Sequence, residues 1–197
     1  MHYVTPGGTH GEPAAAPASP PATPCGAIPA PVADLNALYG ELPFLDRFDA
    51  AAQAGFERVE CLFPYLYPVE QIAHRLCCHG LQLVRFCLPA GDWVGGERGI
   101  ACLPERSGEF RYGVEEAIRY ARPLGVRQLR CLTGLPQLGL APELVRQTLV
   151  ANLRHAAAAL KPHGIALLVA PQDAPDAAAI IRDTGADNLF LHEQGQP

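Results

Sequence analysis

The segment from Leu88 to Arg111 combines charged and aromatic side chains and is longer than an ordinary connection. Loops longer than about 12–15 residues without secondary structure of their own are usually functional or disordered. Apolar groups alternate with the charges here, which favours an ordered loop that covers a substrate. Guanidinium groups bind planar carboxylates well, so Arg98 and Arg106 are candidates for carboxylate recognition. Alternatively, these arginines pair with Glu97 and Glu109 and only hold the shape of the loop.

Further chemistry-bearing residues lie near the ends of predicted strands, where barrel folds place their ligand-binding groups. Glu60 lies in an apolar strand, where an unpaired charge is costly. It therefore contacts a substrate or pairs with Arg85 or Arg130. Tyr65 is expected to form part of the wall of the pocket or its mouth. The predicted substrate-binding residues are Glu60, Tyr65, Asp92, Trp93, Arg98 and Arg106.

Short apolar runs alternate with amphipathic stretches from Val32 onward, which is typical of βα units and a parallel sheet. The predicted strands are 32–36, 57–63, 81–88, 126–134, 165–171 and 188–193. Helices are predicted over 44–55, 68–80, 110–124, 142–162 and 173–185. The fold class is therefore α/β, with about six βα units of a (β/α)8 TIM barrel.

The chain divides into two regions by composition. Residues 1–31 are rich in Pro and Ala with few large apolar groups, which predicts a disordered tail. Residues 32–197 form the barrel domain, which lacks the last two βα units, since a complete barrel needs about 250 residues. Six strands leave two open edges. We expect self-association, a partner chain or the tail to cover them.

Composition excludes several classes of partner. The net charge is −5 and the basic residues are scattered, which argues against binding to nucleic acid or to an anionic membrane. No apolar run is long enough to span a bilayer, and no secretory signal is present at the start. The seven cysteines lack metal-binding spacing. They are expected to be small buried groups in a cytoplasmic protein.

Several segments carry a family resemblance. LPAGDW, GERGIAC and EFRYGVEEAIRYA resemble the hydroxypyruvate isomerase family, as do ELPFLDRFDAAAQAGFERVECLFPYLYP, LRCLTG and NLRHAAAALKPHGIALLV. Together they cover roughly residues 32–170. The resemblance implies a xylose isomerase-like TIM barrel that interconverts hydroxypyruvate and tartronate semialdehyde, or related small hydroxy or keto acids, with Mg²⁺ or Mn²⁺.

The resemblance also implies two glutamates and an aspartate around the metal, and the sequence departs from this pattern. The glutamate that ends strand five, both ligand and proton shuttle in the family, corresponds to Ala170. The strand-six aspartate corresponds to Gln194, and the strand-eight glutamate has no counterpart. Asp173, Asp176, His192 and Glu193 could form an improvised cation site. The alternative is that Asp173 caps a helix and that His192 and Glu193 belong to a frayed terminus.

Three functional hypotheses follow. The chain is a metal-dependent isomerase in the pattern of the family, a non-catalytic binding or interaction module, or a remnant that needs a partner chain to fold. The loss of the carboxylate at Ala170 favours the second and third hypotheses. We therefore predict an impaired member of the family with no catalytic residue and no retained metal ligand, whose alternative is a non-catalytic module or a remnant; its ligand, if it has one, is a small hydroxy or keto acid.

Overall fold

The computed structural model describes residues 31–170 and 176–192. Six parallel strands pair in chain order, so that each strand lies beside its sequence neighbours. The predicted partial TIM barrel is confirmed. The disordered tail predicted for residues 1–31 lies almost entirely outside the described residues. The strands are β1 (Val32–Asp34), β2 (Arg58–Glu60), β3 (Gln82–Cys87), β4 (Gln128–Cys131), β5 (Ala166–Val169) and β6 (Leu189–Leu191).

Helices follow the strands and cover the outer face of the sheet. They are α1 (Leu35–Leu38), α2 (Asp46–Gln53), α3 (Val69–His79), α4 (Ser107–Ala121), α5 (Pro142–Leu160) and α6 (Ala177–Thr184). Short 3₁₀ turns occupy Pro104–Arg106 and Lys161–His163. Within the described chain β1 and β6 each pair with one strand, and the partner expected at these edges stays a prediction.

The alternation of side chains along β4 shows how the sheet separates its core from its site. Leu129 and Cys131 are fully buried in the hydrophobic core. Arg130 lies between them, and successive side chains of a strand point to opposite faces. Its guanidinium therefore points into the barrel, where it lines a cleft. The outer face supplies the packing energy, and the inner face carries polar groups.

Two predicted boundaries were wrong for local reasons. The first strand was expected to reach Asn36 but ends at Asp34, because the Asp34 carboxylate accepts hydrogen bonds from the backbone N–H groups of Asn36 (2.8 Å) and Ala37 (3.1 Å) and caps α1. Helix α4 begins at Ser107 rather than Phe110, because the 3₁₀ turn before it leads directly into the helix.

The long segment after β3 is fixed by buried polar contacts. Asn152 of α5 is 1% exposed. Its amide donates to the carbonyl of Ala101 at 2.9 Å and to the hydroxyl of Ser107 at 3.1 Å. Gly99 forms an isolated antiparallel bridge with Thr133, after β4. The segment is therefore held both to a helix and to the neighbouring strand end.

The cysteines only partly follow the expectation. Cys61, Cys87, Cys102 and Cys131 are buried, as predicted, whereas Cys77 and Cys78 are exposed at the end of α3. No helix in the described part of the chain is long and apolar enough to cross a membrane.

Candidate active site

A small central cleft lies at the carboxyl ends of the first four strands. It holds about 40 Å³. The Glu60 carboxylate pairs with the Arg85 guanidinium of the neighbouring strand. The structure thus shows the ion pair that was one of the two alternatives for Glu60, and also places this pair in the cleft. The lining residues are Asp34, Glu60, Cys61, Leu62, Arg85, Phe86, Cys87, Arg130 and His192.

A larger cleft of about 330 Å³ lies beside the central one. Leu62 and Arg130 line both, so the two clefts are neighbours at the mouth of the barrel. The long segment contributes Trp93 and Arg98, and the loop after β4 contributes Thr133. We call this larger cleft the mouth cleft. The described residues that line it are Leu62, Trp93, Arg98, Arg130, Leu132, Thr133, Gly134 and Leu135.

Arg98 and Trp93 form one unit in the mouth cleft. The Arg98 guanidinium carbon lies 4.1 Å from the centre of the indole ring, within the range of a cation–π contact. One guanidinium nitrogen donates to the carbonyls of Glu97 (2.7 Å) and Trp93 (3.2 Å). The indole packs against Phe63, with ring centres 5.0 Å apart. Arg98 has no acidic partner among the described residues, so its other N–H groups can reach a ligand.

Arg106 behaves differently from Arg98. It pairs with Glu97 and, through two hydrogen bonds of 2.6 and 2.8 Å, with Glu109. The guanidinium lowers the pKa of the Glu109 carboxyl. Arg106 therefore follows the alternative in which the charges of the loop pair with one another, and its guanidinium joins the loop to α4.

Asp92 shapes the turn of the same loop. Its side chain accepts a hydrogen bond from the N–H of Gly95 at 2.8 Å, and its own N–H donates to the Glu97 carboxylate. Asp92 does not line either cleft. Its expected contact with substrate stays a prediction.

Tyr65 lies behind the central cleft rather than in its lining. The hydroxyl donates to the carbonyl of Cys87 at 2.6 Å, and the ring packs edge-on against Phe86 and Tyr120. Tyr65 thus supports the end of β3 from behind. Burial raises the pKa of its hydroxyl well above the ordinary range.

This burial predicts a loss of stability in alkaline solution. An unfolded tyrosine ionises near pH 10, whereas the folded Tyr65 keeps its proton to a higher pH. Its contribution is fully present below pH ~10 and is lost as the pH rises towards the folded pKa, by about 1.4 kcal/mol per unit. Urea unfolding across this range should show a shallower decline for Tyr65→Phe than for wild type. The exposed Tyr112→Phe variant should behave as wild type, and equal slopes in all three proteins would contradict the assignment.

Two of the four residues considered for an improvised cation site fall within the described chain, and they lie apart. His192 donates its backbone N–H to the carbonyl of Val169 at 2.9 Å and lines the central cleft. The expectation that His192 belongs to a frayed end was therefore wrong. Asp176 lines a different cleft, between α5 and α6. Asp173, Glu193 and Gln194 lie outside the described residues.

Within the described part of the chain, the side chains do not form a site for a divalent cation. Across residues 31–170 and 176–192, no group of three or more His, Cys, Asp or Glu side chains could hold a metal ion. The two carboxylates of the central cleft are already engaged, since Asp34 caps α1 and Glu60 pairs with Arg85. Ala170, at the expected position of a ligating glutamate, is fully buried and apolar.

Comparison with known proteins agrees with this architecture. Residues 48–192 match the family described as xylose isomerase-like TIM barrel. The hydroxypyruvate isomerase of Escherichia coli (strain K12) is 46% identical over 170 residues, which are 81% of this chain and 66% of that protein. The chain belongs to the hydroxypyruvate isomerase family. The 2-oxo-tetronate isomerase of Haemophilus influenzae is 34% identical over 83% of this chain and 68% of its own length. The chain thus spans about two thirds of these family members.

Solved structures share the fold of this chain. A Brucella melitensis protein described as AP endonuclease, family 2, superposes with a TM-score of 0.76 at 36% identity, over 83% of this chain and 67% of that protein. An L-ribulose 3-epimerase superposes with a TM-score of 0.59 at 22% identity, which supports the fold alone.

Sequence reasoning missed two groups of the mouth cleft. Arg130 was considered only as a partner of Glu60, and Thr133 was not among the predicted substrate-binding residues. Thr133 is 1% exposed and forms a β-bridge with Gly99. These residues are 34 positions apart, so a local sequence pattern does not predict the contact. Arg130 lies between two apolar residues of a predicted strand, and this alternation of apolar and polar side chains could have predicted that its side chain points into the barrel.

Proposed function

We propose that this hydroxypyruvate isomerase family member binds small α-hydroxy or α-keto acids in the mouth cleft but does not isomerise them. The observation that carries the proposal is Ala170. Isomerisation moves a proton between two carbons and stabilises an enediolate, which needs a base and an electrophile. In the resembled family the glutamate at this position serves as metal ligand and proton shuttle. A buried methyl group can do neither.

The binding half of the proposal rests on the charge of the mouth cleft. Arg98 lines it, and no acidic residue is among the lining residues that the structure describes. A carboxylate accepts two parallel hydrogen bonds from one guanidinium. Arg98 is held by the indole and by two carbonyls, so little side-chain entropy is lost when a ligand binds. The apolar face of Trp93 suits the short carbon chain of such an acid.

Trp93 also supplies the test, because it is the single tryptophan of the chain. Hydroxypyruvate and glycerate should change its fluorescence in a saturable manner, whereas glycerol, which lacks a carboxylate, should not. Arg98→Gln should weaken the binding about tenfold, since a hydrogen bond to a charged group contributes about 1.5–3 kcal/mol. Arg111→Gln, on the exposed face of α4, is the control of equal charge. A response to glycerol, or equal affinities in both variants, would refute the assignment.

The remaining hypothesis is that the chain needs a partner to fold. The same purified protein distinguishes this hypothesis from the proposed function. A near-ultraviolet circular dichroism melt of the chain alone should be cooperative if the described fold is stable by itself. The absence of a cooperative transition would favour the partner-dependent alternative and would overturn the proposal for the isolated chain.

A further inference from the structure

A second charged cleft lies at the opposite end of the barrel from the mouth cleft. Arg127 directly precedes β4 and Ile165 directly precedes β5, so this cleft lies at the amino ends of the strands. It holds about 280 Å³, and we call it the basal cleft. Its lining residues are Ala121, Arg122, Gly125, Val126, Arg127, His163 and Ile165.

The polar side chains of the basal cleft are all basic. Arg122 comes from the end of α4, Arg127 from the turn before β4, and His163 from the 3₁₀ turn after α5. No acidic residue lines the cleft among residues 31–170 and 176–192. Asp187 pairs instead with Lys161, at 2.7 Å. Two permanent positive charges therefore face one small volume without a compensating carboxylate in its lining.

The Arg127 side chain is held in place by a hydrogen bond, whereas the N–H donors of the Arg122 guanidinium are available. Arg127 donates to the carbonyl of His163 at 2.8 Å. The same guanidinium nitrogen lies 3.4 Å from the position that a Cβ on Gly164 would take, so it rests against the backbone of that residue. The Arg122 side chain has no hydrogen bond or ion pair within the part of the chain that the structure describes. The cleft thus offers one positioned guanidinium and one that is available to a ligand.

We propose that the basal cleft binds a phosphate group, either free phosphate or the phosphate of a small monoester. Two guanidinium groups match the double negative charge of this group and offer several N–H donors to its oxygens. This site lies at the end of the strands opposite the mouth cleft and does not depend on the function proposed there.

Thermal unfolding of the full chain tests the proposal, because a ligand that binds only the native state raises the midpoint by mass action. Inorganic phosphate, titrated at constant ionic strength against sodium chloride, should raise the wild-type midpoint in a saturable manner. Arg122→Gln should require about tenfold more phosphate for the same rise. Arg111→Gln removes the same charge from an exposed position of α4 and should respond as wild type.

Two further arms identify the site and the source of the phosphate. Arg98→Gln should keep the phosphate response, which shows that the mouth cleft is not responsible. Glycerol phosphate at the same concentrations should act at least as strongly as inorganic phosphate if the site accepts monoesters, and a response to inorganic phosphate alone would restrict it to the free ion. No midpoint rise with either probe, or an equal loss in Arg122→Gln and Arg111→Gln, would overturn the proposal.

Discussion

Hydroxypyruvate incubated with the full chain and manganese is expected to isomerise no faster than without protein. The expectation rests on the function proposed above, in which the position of the family's proton-transferring glutamate corresponds to Ala170, which is fully buried. A single acid–base side chain typically contributes about 10²–10⁴-fold to a rate. Under the same proposal, a missing metal ligand would also remove the stabilisation of the enediolate. Product formation followed by proton NMR measures the rate directly, with a full-length isomerase of the family as the positive control.

The metal half of this prediction has a readout that does not require turnover. Manganese that binds the native state must raise the unfolding midpoint, and we expect no rise in the wild-type chain. The same midpoint is measured for Ala170→Glu and Ala170→Gln. Both variants insert a larger polar side chain at the same buried position, so they match in size and differ in charge, and a difference between their responses to manganese reports the carboxylate. Metal-dependent product above background from the wild type, or a midpoint raised by manganese, would refute the assignment of a non-catalytic chain.

Gly99→Ala is expected to destabilise the long segment by several kcal/mol. Gly99 has a φ of +113°, which non-glycine residues adopt only at a cost of about 1–3 kcal/mol. A Cβ there would also lie 2.1 Å from the carbonyl oxygen of Leu132 and 2.6 Å from the nitrogen of Gly134. Both are backbone atoms, so the bridge between the loop and the end of β4 would have to open.

Gly96→Ala is the matched control for this prediction. Gly96 lies in the same loop with a φ of +99°, but a Cβ there would meet nothing within 4 Å. Gly96→Ala should therefore lose only the stability that the positive φ costs a non-glycine residue, without a steric clash. Urea unfolding measures the difference in free energy, and Trp93 fluorescence shows whether the mouth cleft is lost in Gly99→Ala alone. Equal destabilisation of the two variants would mean that the bridge at Gly99 contributes nothing.

The elements of the fold were predictable because their signals are local. The apolar run at β5 and the helix of α3 that ends at Gly80 follow directly from periodicity and from a left-handed glycine, φ +63°. Local sequence signals could not decide whether Arg106 binds a carboxylate ligand or pairs with the acidic residues of the loop. It depended on Glu97, nine positions earlier, and on how the loop folds back onto α4.

The site was predictable only in part, for the same reason. Trp93 and Arg98 are five positions apart and lie in one loop, so the sequence could suggest that they act together. Tyr65 was expected in the pocket wall, but its ring direction depends on packing against Phe86 and Tyr120. Side-chain direction after a strand end is decided by such distant contacts, which composition and spacing do not encode.

The order of the strands has a consequence for how the molecule is made. Because each of the described strands pairs with its neighbours in sequence, each new strand emerging from the ribosome finds its partner already synthesised. Synthesis proceeds at about 5–20 residues per second, so neighbouring strands leave the ribosome within seconds of one another. The sheet can therefore grow from β1 towards β6 during translation, one βα unit at a time.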